Sequence, residues 1–257
     1  MGKVKEETSL GGQQRGFQTT RWSEIQEAGA CDPVRRQAGV NHLLQRYWKP
    51  VYWCLRRKGY SNDDAKDLTQ GFFCEIVLGR ELIQQADRTK GRFRTFLLTA
   101  LDHYVTSIHR KETARKRRPA TALASLDVES LPEMPAMEAQ ASPEHAFHYA
   151  WAAGLLDQVL TELRREYEAT GRAAYWEIFR AKLLIPILDD GEEPSLSSIC
   201  AEYGIETEKK ASNILITVKR RFATILRQAL RQQVQSEAQV EQELGDLVEI
   251  LSQGGAA

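Results

Sequence analysis

The sequence predicts an all-α protein of two helical domains joined by an acidic linker. Three observations predict it. Apolar residues recur at intervals of three and four along most of the chain, Ser, Thr, Gly and Pro fall where those runs begin and end, and one proline-containing acidic stretch without Lys or Arg interrupts them.

Taken in order, residues 1–18 have no such pattern and read as a flexible N-terminus. Thr20 can cap a short helix over Trp22 to Ala28. Pro33 sits where a first-turn proline is tolerated, ahead of a helix through Leu43, Leu44 and Trp48 that Pro50 should kink or restart. The stretch from Val51 to Lys58 stops at Gly59, and Ser61 opens a helix with Asp63 and Asp64 in its first turn, where the helix dipole favours negative charge. At 100° per residue Ala65, Leu68, Phe72 and Ile76 share one side of it, and Asp63, Asp67 and Gln70 the other. The strongest periodic signal follows over Arg92 to Arg118, with Phe93, Phe96, Leu97, Ala100, Leu101, Tyr104, Val105 and Ile108 inward.

Pro119 ends that helix. Residues 119–143, with Pro132 and Pro135 and no Lys or Arg, have the composition of a flexible linker. Beyond it a helix over Glu144 to Glu168 buries Trp151, Leu155, Leu156, Val159 and Leu163, and a second, over Arg172 to Leu188, is interrupted at Pro186. Ser195 can cap a short helix carrying Leu196, Ile199, Cys200 and Tyr203, Gly204 lets the chain turn, and a long helix follows. Its inward residues are Ala211, Ile214, Leu215, Val218, Phe222, Ile225, Leu226 and Ala229. Short helix, glycine turn and longer basic helix (195–231) is the helix-turn-helix plan, whose second helix presents side chains to the major groove. Residues 234–257 form an acidic amphipathic extension with Val240, Leu244, Leu247, Val248 and Leu251 along a seam, expected to pack back on its own domain.

A formal net charge of zero over 257 residues hides a segmental pattern. Residues 88–118 carry 10 Lys and Arg against 2 acids, residues 119–194 carry 5 against 14, and residues 195–233 carry 7 against 3. Two basic segments separated by an acidic one suit two contacts with a polyanion, although a membrane surface or an acidic protein would also attract such patches. No apolar run reaches membrane-spanning length and the first residues lack the core of a signal peptide, so a cytoplasmic protein with no membrane partner is expected. Cys31, Cys54, Cys74 and Cys200 show no metal spacing and are expected as buried free thiols. No GxxxxGK[ST], HExxH, GxSxG or paired CxxC occurs, and His145 and His148 alone make no metal site. A non-enzyme without cofactor or metal is therefore expected.

In sequence order, TTRW at 19–22, then YWKPVYWCLRRKGYSNDDAKDLTQGFF, KGRFRTFLLTALDHYVTSIHRK and the C-terminal helix pair resemble the extracytoplasmic-function group of bacterial sigma factors. The likeness covers most of the chain and is greatest to longer members with a TTRW start and a substantial acidic inter-domain segment. It implies a region 2-like domain over 19–118 and a region 4-like domain over 144–233. It implies that Asp63, Asp64, Asp67 and Gln70 contact the clamp helices of the largest subunit of core RNA polymerase. Arg92, Arg94, His103, Ser107, Arg110, Lys111, Arg115 and Lys116 would grip the melted minus-ten strand of promoter DNA. Lys209, Lys210, Ser212, Asn213, Lys219 and Arg220 would serve the minus-thirty-five duplex. The chain departs from the family pattern in a turn after Gly204 that is one residue longer, and in Thr217 and Ile216, which stand where a histidine and an arginine are common. Regulation by an anti-sigma factor, by a kinase acting on Thr69 or a neighbouring hydroxyl, or by the C-terminal helix stays open. The competing reading is a stand-alone helix-turn-helix transcriptional regulator, which accounts for the second domain and not the first.

Overall fold

A computed structural model describes residues 22–77, 81–87, 91–115, 141–188 and 192–254. Every regular element among them is helical. The N-terminus 1–18, the Thr20 cap, Lys116 and nearly all of the 119–143 linker lie outside the described residues. No described helix is long and apolar enough to cross a membrane.

The chain divides into two compact units, one of residues up to Ala152 together with those from Leu247, the other Ala153–Asp246. In the first, α1 (Trp22–Ala28) packs on α2 (Pro33–Arg57), followed by α3 (Asn62–Phe72), one wide π turn at Phe73–Val77, α4 (Glu81–Gln85) and α5 (Phe93–Arg115). Asp32 starts α2 by accepting from the Val34 and Arg35 amides at 2.8 and 3.1 Å. The sequence suggests a kink or a restart at Pro50; the helix does not restart there, and α2 runs through it. An interior proline costs about 3 kcal/mol, whereas each large apolar side chain buried is worth roughly 1.5–3 kcal/mol. Tyr47, Val51, Cys54 and Leu55 are all buried within about two turns of Pro50, so burial prevails.

The core of this unit also takes residues assigned by sequence to the other domain. Ala146, Phe147, Ala150 and Trp151, at the start of α6 (Pro143–Ala169), are buried, and Phe147 stacks on Tyr47 with ring centroids 6.2 Å apart. The division therefore falls inside α6 rather than at the linker, because apolar periodicity marks a buried face without saying which neighbours bury it.

The second unit holds the rest of α6, then α7 (Ala173–Phe179), a π turn at Arg180–Leu184, α8 (Ile185–Leu188), α9 (Leu196–Tyr203), α10 (Glu208–Arg231) and the start of α11 (Glu237–Gly254). The break expected at Pro186 takes the form of the wide turn before it: the Ile185 amide donates to the Arg180 carbonyl, five residues back. A proline ring collides with the carbonyl four residues behind it, and one wide turn relieves that collision without ending the helix. Instead of packing entirely on its own domain, the C-terminal extension divides: Val234 and Val240 are buried in the second unit, and residues from Leu247 group with the first.

Three sequence expectations are corrected by burial. Cys54 is buried, its thiol pushed up to about 12 chiefly by desolvation, but Cys31 and Cys74 are exposed and Cys200 is half-buried. Cys31 lies in the α1–α2 turn and Cys74 on the outer side of the π turn, where no helix covers them. Val248, expected in the apolar seam of α11, is 67% exposed. The third correction, at Arg94, concerns the functional surface.

Candidate functional site

The acidic face of α3 is built from its cap. Ser61 Oγ accepts from the Asp64 amide at 3.1 Å and donates to Asp64 Oδ2 at 2.6 Å, closing the first turn on itself. Tyr52 Oη, from α2, donates to Asn62 Oδ1 at 2.7 Å and fixes the same end. Ala65, Thr69 and Phe72 are fully buried behind the helix, leaving Asp63, Asp64 and Asp67 exposed and Gln70 half-buried. The Thr69 hydroxyl is fully buried and donates to the Ala65 carbonyl at 2.6 Å, so in this fold a kinase has no access to it. Thr69 lies about 40° from Ala65 around the helix, on the apolar side, which the periodicity already implies.

Several contacts hold α5 against α3 and the turn that precedes it. Phe72 and Tyr104 rings pack 5.7 Å apart, and Gly71 lets the Tyr104 hydroxyl approach the α3 backbone. At the far end Lys58 pairs with Asp102 at 3.0 Å, and Tyr60 both stacks on and hydrogen-bonds His109. On the outer side of α5, His103, Arg110 and Lys111 are exposed and Ser107 is half-buried, all within about 100° of arc. Arg92, half-buried, precedes the helix on the same side. Arg115 falls in α5 but its side chain lies outside the described set, as does all of Lys116.

Arg94 is elsewhere. It is 4% exposed, and its guanidinium carbon lies 4.1 Å from the centroid of the Trp151 ring. A cation over an indole face is attracted by the ring quadrupole, most strongly where water is excluded. Arg94 therefore leaves the DNA-facing set and becomes part of the packing between α5 and the start of α6. The signal was present: at 100° per residue Arg94 shares the face of Leu97, Leu101 and Val105.

In the second unit the helix pair is capped as its sequence requires. Ser195 Oγ accepts from the Ser198 amide at 3.0 Å, Gly204 turns the chain at φ 64°, and Thr207 Oγ1 accepts from the Lys210 amide at 3.2 Å. Of the inward residues expected on α10, all are buried except Phe222, which is half-buried. Lys209, Asn213 and Arg220 are exposed along the outer line. Half-buried Ser212 and exposed Lys219 flank it on one side, and exposed Lys210 on the other, bridged to Glu206 at 3.4 Å. Arg221, adjoining in sequence, turns away: its Nε and Nη2 bind the Glu166 carboxylate of α6 at 2.6–2.9 Å. That bidentate pair raises the Arg221 pKa and removes one cation from the basic cluster.

The start of α11 is fastened to the end of α10 by Arg227–Glu241 at 3.3 Å and Arg231–Glu237 at 2.5 Å. Among the described residues no group of His, Cys, Asp and Glu is arranged to hold a metal ion. Comparison with known proteins returned no matching family model, no matching curated protein and no matching solved structure.

Proposed function

We propose that this chain is a sigma factor of the extracytoplasmic-function type, directing promoter-specific initiation by core RNA polymerase. One observation carries the reading: a single compact unit presents two surfaces of opposite charge, the capped face of Asp63, Asp64 and Asp67 on α3 and the outer side of α5 with His103, Arg110 and Lys111. An acidic face of this kind suits a basic helical partner, here the clamp helices of the largest polymerase subunit. A cationic helix with polar groups suits a single strand, whose phosphates it neutralises and whose bases it meets with side-chain polar groups. The outer line of α10, in the second unit, adds a surface suited to duplex DNA.

The mechanism is cooperative attachment. Neither DNA-facing surface is large, but attachment of both to polymerase makes the second contact intramolecular and raises its effective concentration. Capture of the unpaired strand by α5 offsets the cost of unstacking and unpairing, with no nucleotide-hydrolysing step. Gln70, half-buried at the edge of the acidic face, adds an amide to the polymerase contact.

The test mixes the purified chain with catalytic core polymerase and supercoiled genomic template. Defined start sites are expected. The pair Asp63→Lys and Asp67→Lys should weaken association with core by about a hundredfold, since like charges set opposite one another cost several kcal/mol. Unchanged association of that variant, or no start site, overturns the proposal. Tight sequence-specific binding to promoter duplex without polymerase would instead favour a stand-alone helix-turn-helix regulator.

A further inference from the structure

The outer line of α10 is not uniformly polar. Lys209, Asn213, Ile216 and Arg220 follow one another at intervals of four, three and four, which keeps them within about 60° of the centre of the exposed face. Ile216 is 44% exposed in the middle of that line. Beside it the exposed Thr217 commits its hydroxyl proton to the Asn213 carbonyl at 2.8 Å. A small apolar patch therefore lies between an amide and a guanidinium, on a helix whose other exposed groups are mostly charged.

In the major groove the base edges offer one apolar group, the C5 methyl of thymine, while adenine offers the N6 and N7 pair that an Asn side chain matches. Asn213 and Ile216 are separated by about 4.5 Å along the helix axis, close to the roughly 3.4 Å rise between successive base pairs. Lys209 and Arg220 are about 16 Å apart on the same line. A straight helix touches the floor of a curving groove over about a turn, so the middle residues face bases and the outer cations reach phosphates. We infer that Ile216 is a specificity-determining contact for a thymine C5 methyl, next to an adenine read by Asn213. The inference rests on the proposed reading of α10 as the duplex-reading helix and adds which bases it selects.

Uracil in place of thymine removes that methyl and leaves pairing and phosphate charge unchanged. The full chain, alone and with core polymerase, selects duplexes from a randomised pool, and the selected duplexes are resynthesised with each thymine in turn replaced by deoxyuridine. One replacement, beside an adenine, should weaken binding about fourfold, the value of one methyl moved from water to an apolar contact. Ile216→Ala, its helicity checked by circular dichroism, should bind the thymine and uracil duplexes equally and at the weaker level. Asn213→Ala should lose the adenine preference and keep the thymine-to-uracil difference. Insensitivity of the parent chain to every replacement, or a sensitivity that survives Ile216→Ala, overturns the inference. If the chain selects a methyl-sensitive duplex but yields no start site with core, the sigma-factor reading falls and this one stands. If neither form selects a duplex, both fall.

Discussion

Gly71→Ala tests the contact that sets α3 against α5. In an ordinary helix interior this substitution stabilises, since Ala is favoured over Gly by about 1 kcal/mol. Here a Cβ on Gly71 would lie well under 3.0 Å from the Tyr104 hydroxyl oxygen, with ring carbon Cζ next at 3.5 Å. Tyr104 is 5% exposed, and burial holds its phenol neutral, pushing the pKa up to about 12, so the ring has little room to swing away and does not ionise near neutral pH. Overpacking a well-packed core costs about 1–3 kcal/mol, so Gly71→Ala should be destabilising by up to about 2 kcal/mol despite its better propensity. Adding Tyr104→Phe deletes the colliding oxygen and leaves Cζ at ordinary contact distance. In that background Gly71→Ala should become stabilising by up to about 1 kcal/mol. Urea denaturation, with hydrogen-exchange protection of the α3 and α5 amides as the local readout, measures all four corners of the cycle. An effect of Gly71→Ala on stability that is the same with and without Tyr104→Phe refutes the close approach.

The two neighbouring arginines of α10 should separate cleanly: Arg220→Ala should leave stability unchanged and weaken duplex binding, whereas Arg221→Ala should cost stability. With both Arg221 and Glu166 38% exposed, screening limits the loss to about 1 kcal/mol, read from thermal or urea midpoints. The Glu237 carboxyl is held below its ordinary range, first by its hydrogen bond to Arg231. A depressed carboxylate contributes stability above its unfolded pKa and loses it as pH falls through the folded one, so protection of the first α11 amides should decline below the ordinary glutamate range. Glu237→Gln should flatten that decline. A thiol reagent at neutral pH should modify Cys31 and Cys74 quickly and Cys200 more slowly, and reach Cys54 only on unfolding; rapid native modification of Cys54 would contradict its burial.

Local chemistry made much of this legible. Ser61, Ser195 and Gly204 mark helix ends because a cap hydroxyl needs only the amide two or three residues on, and a left-handed turn needs only a missing Cβ. The inward face of α10 followed from its period alone, and so did the inward positions of Arg94 and Thr69, which residue type had argued against. A basic side chain in a basic segment invites a DNA contact, but its angle around the helix decides whether it reaches solvent.

Contacts between residues far apart in the chain decided the rest. Nothing near Arg221 in sequence announces Glu166, 55 residues away, and nothing near Arg94 announces Trp151, 57 residues on. The two cations leave their basic clusters because a carboxylate and an indole face are brought to them by packing. The boundary inside α6 has the same origin: one continuous apolar stripe serves two cores, and which core takes each residue depends on the partners that folding delivers. Spacing in sequence determined where helices begin and which side of each is buried, since those depend on neighbours within a few residues. Tertiary packing alone determined which charges remain at the surface, since that depends on what meets each face.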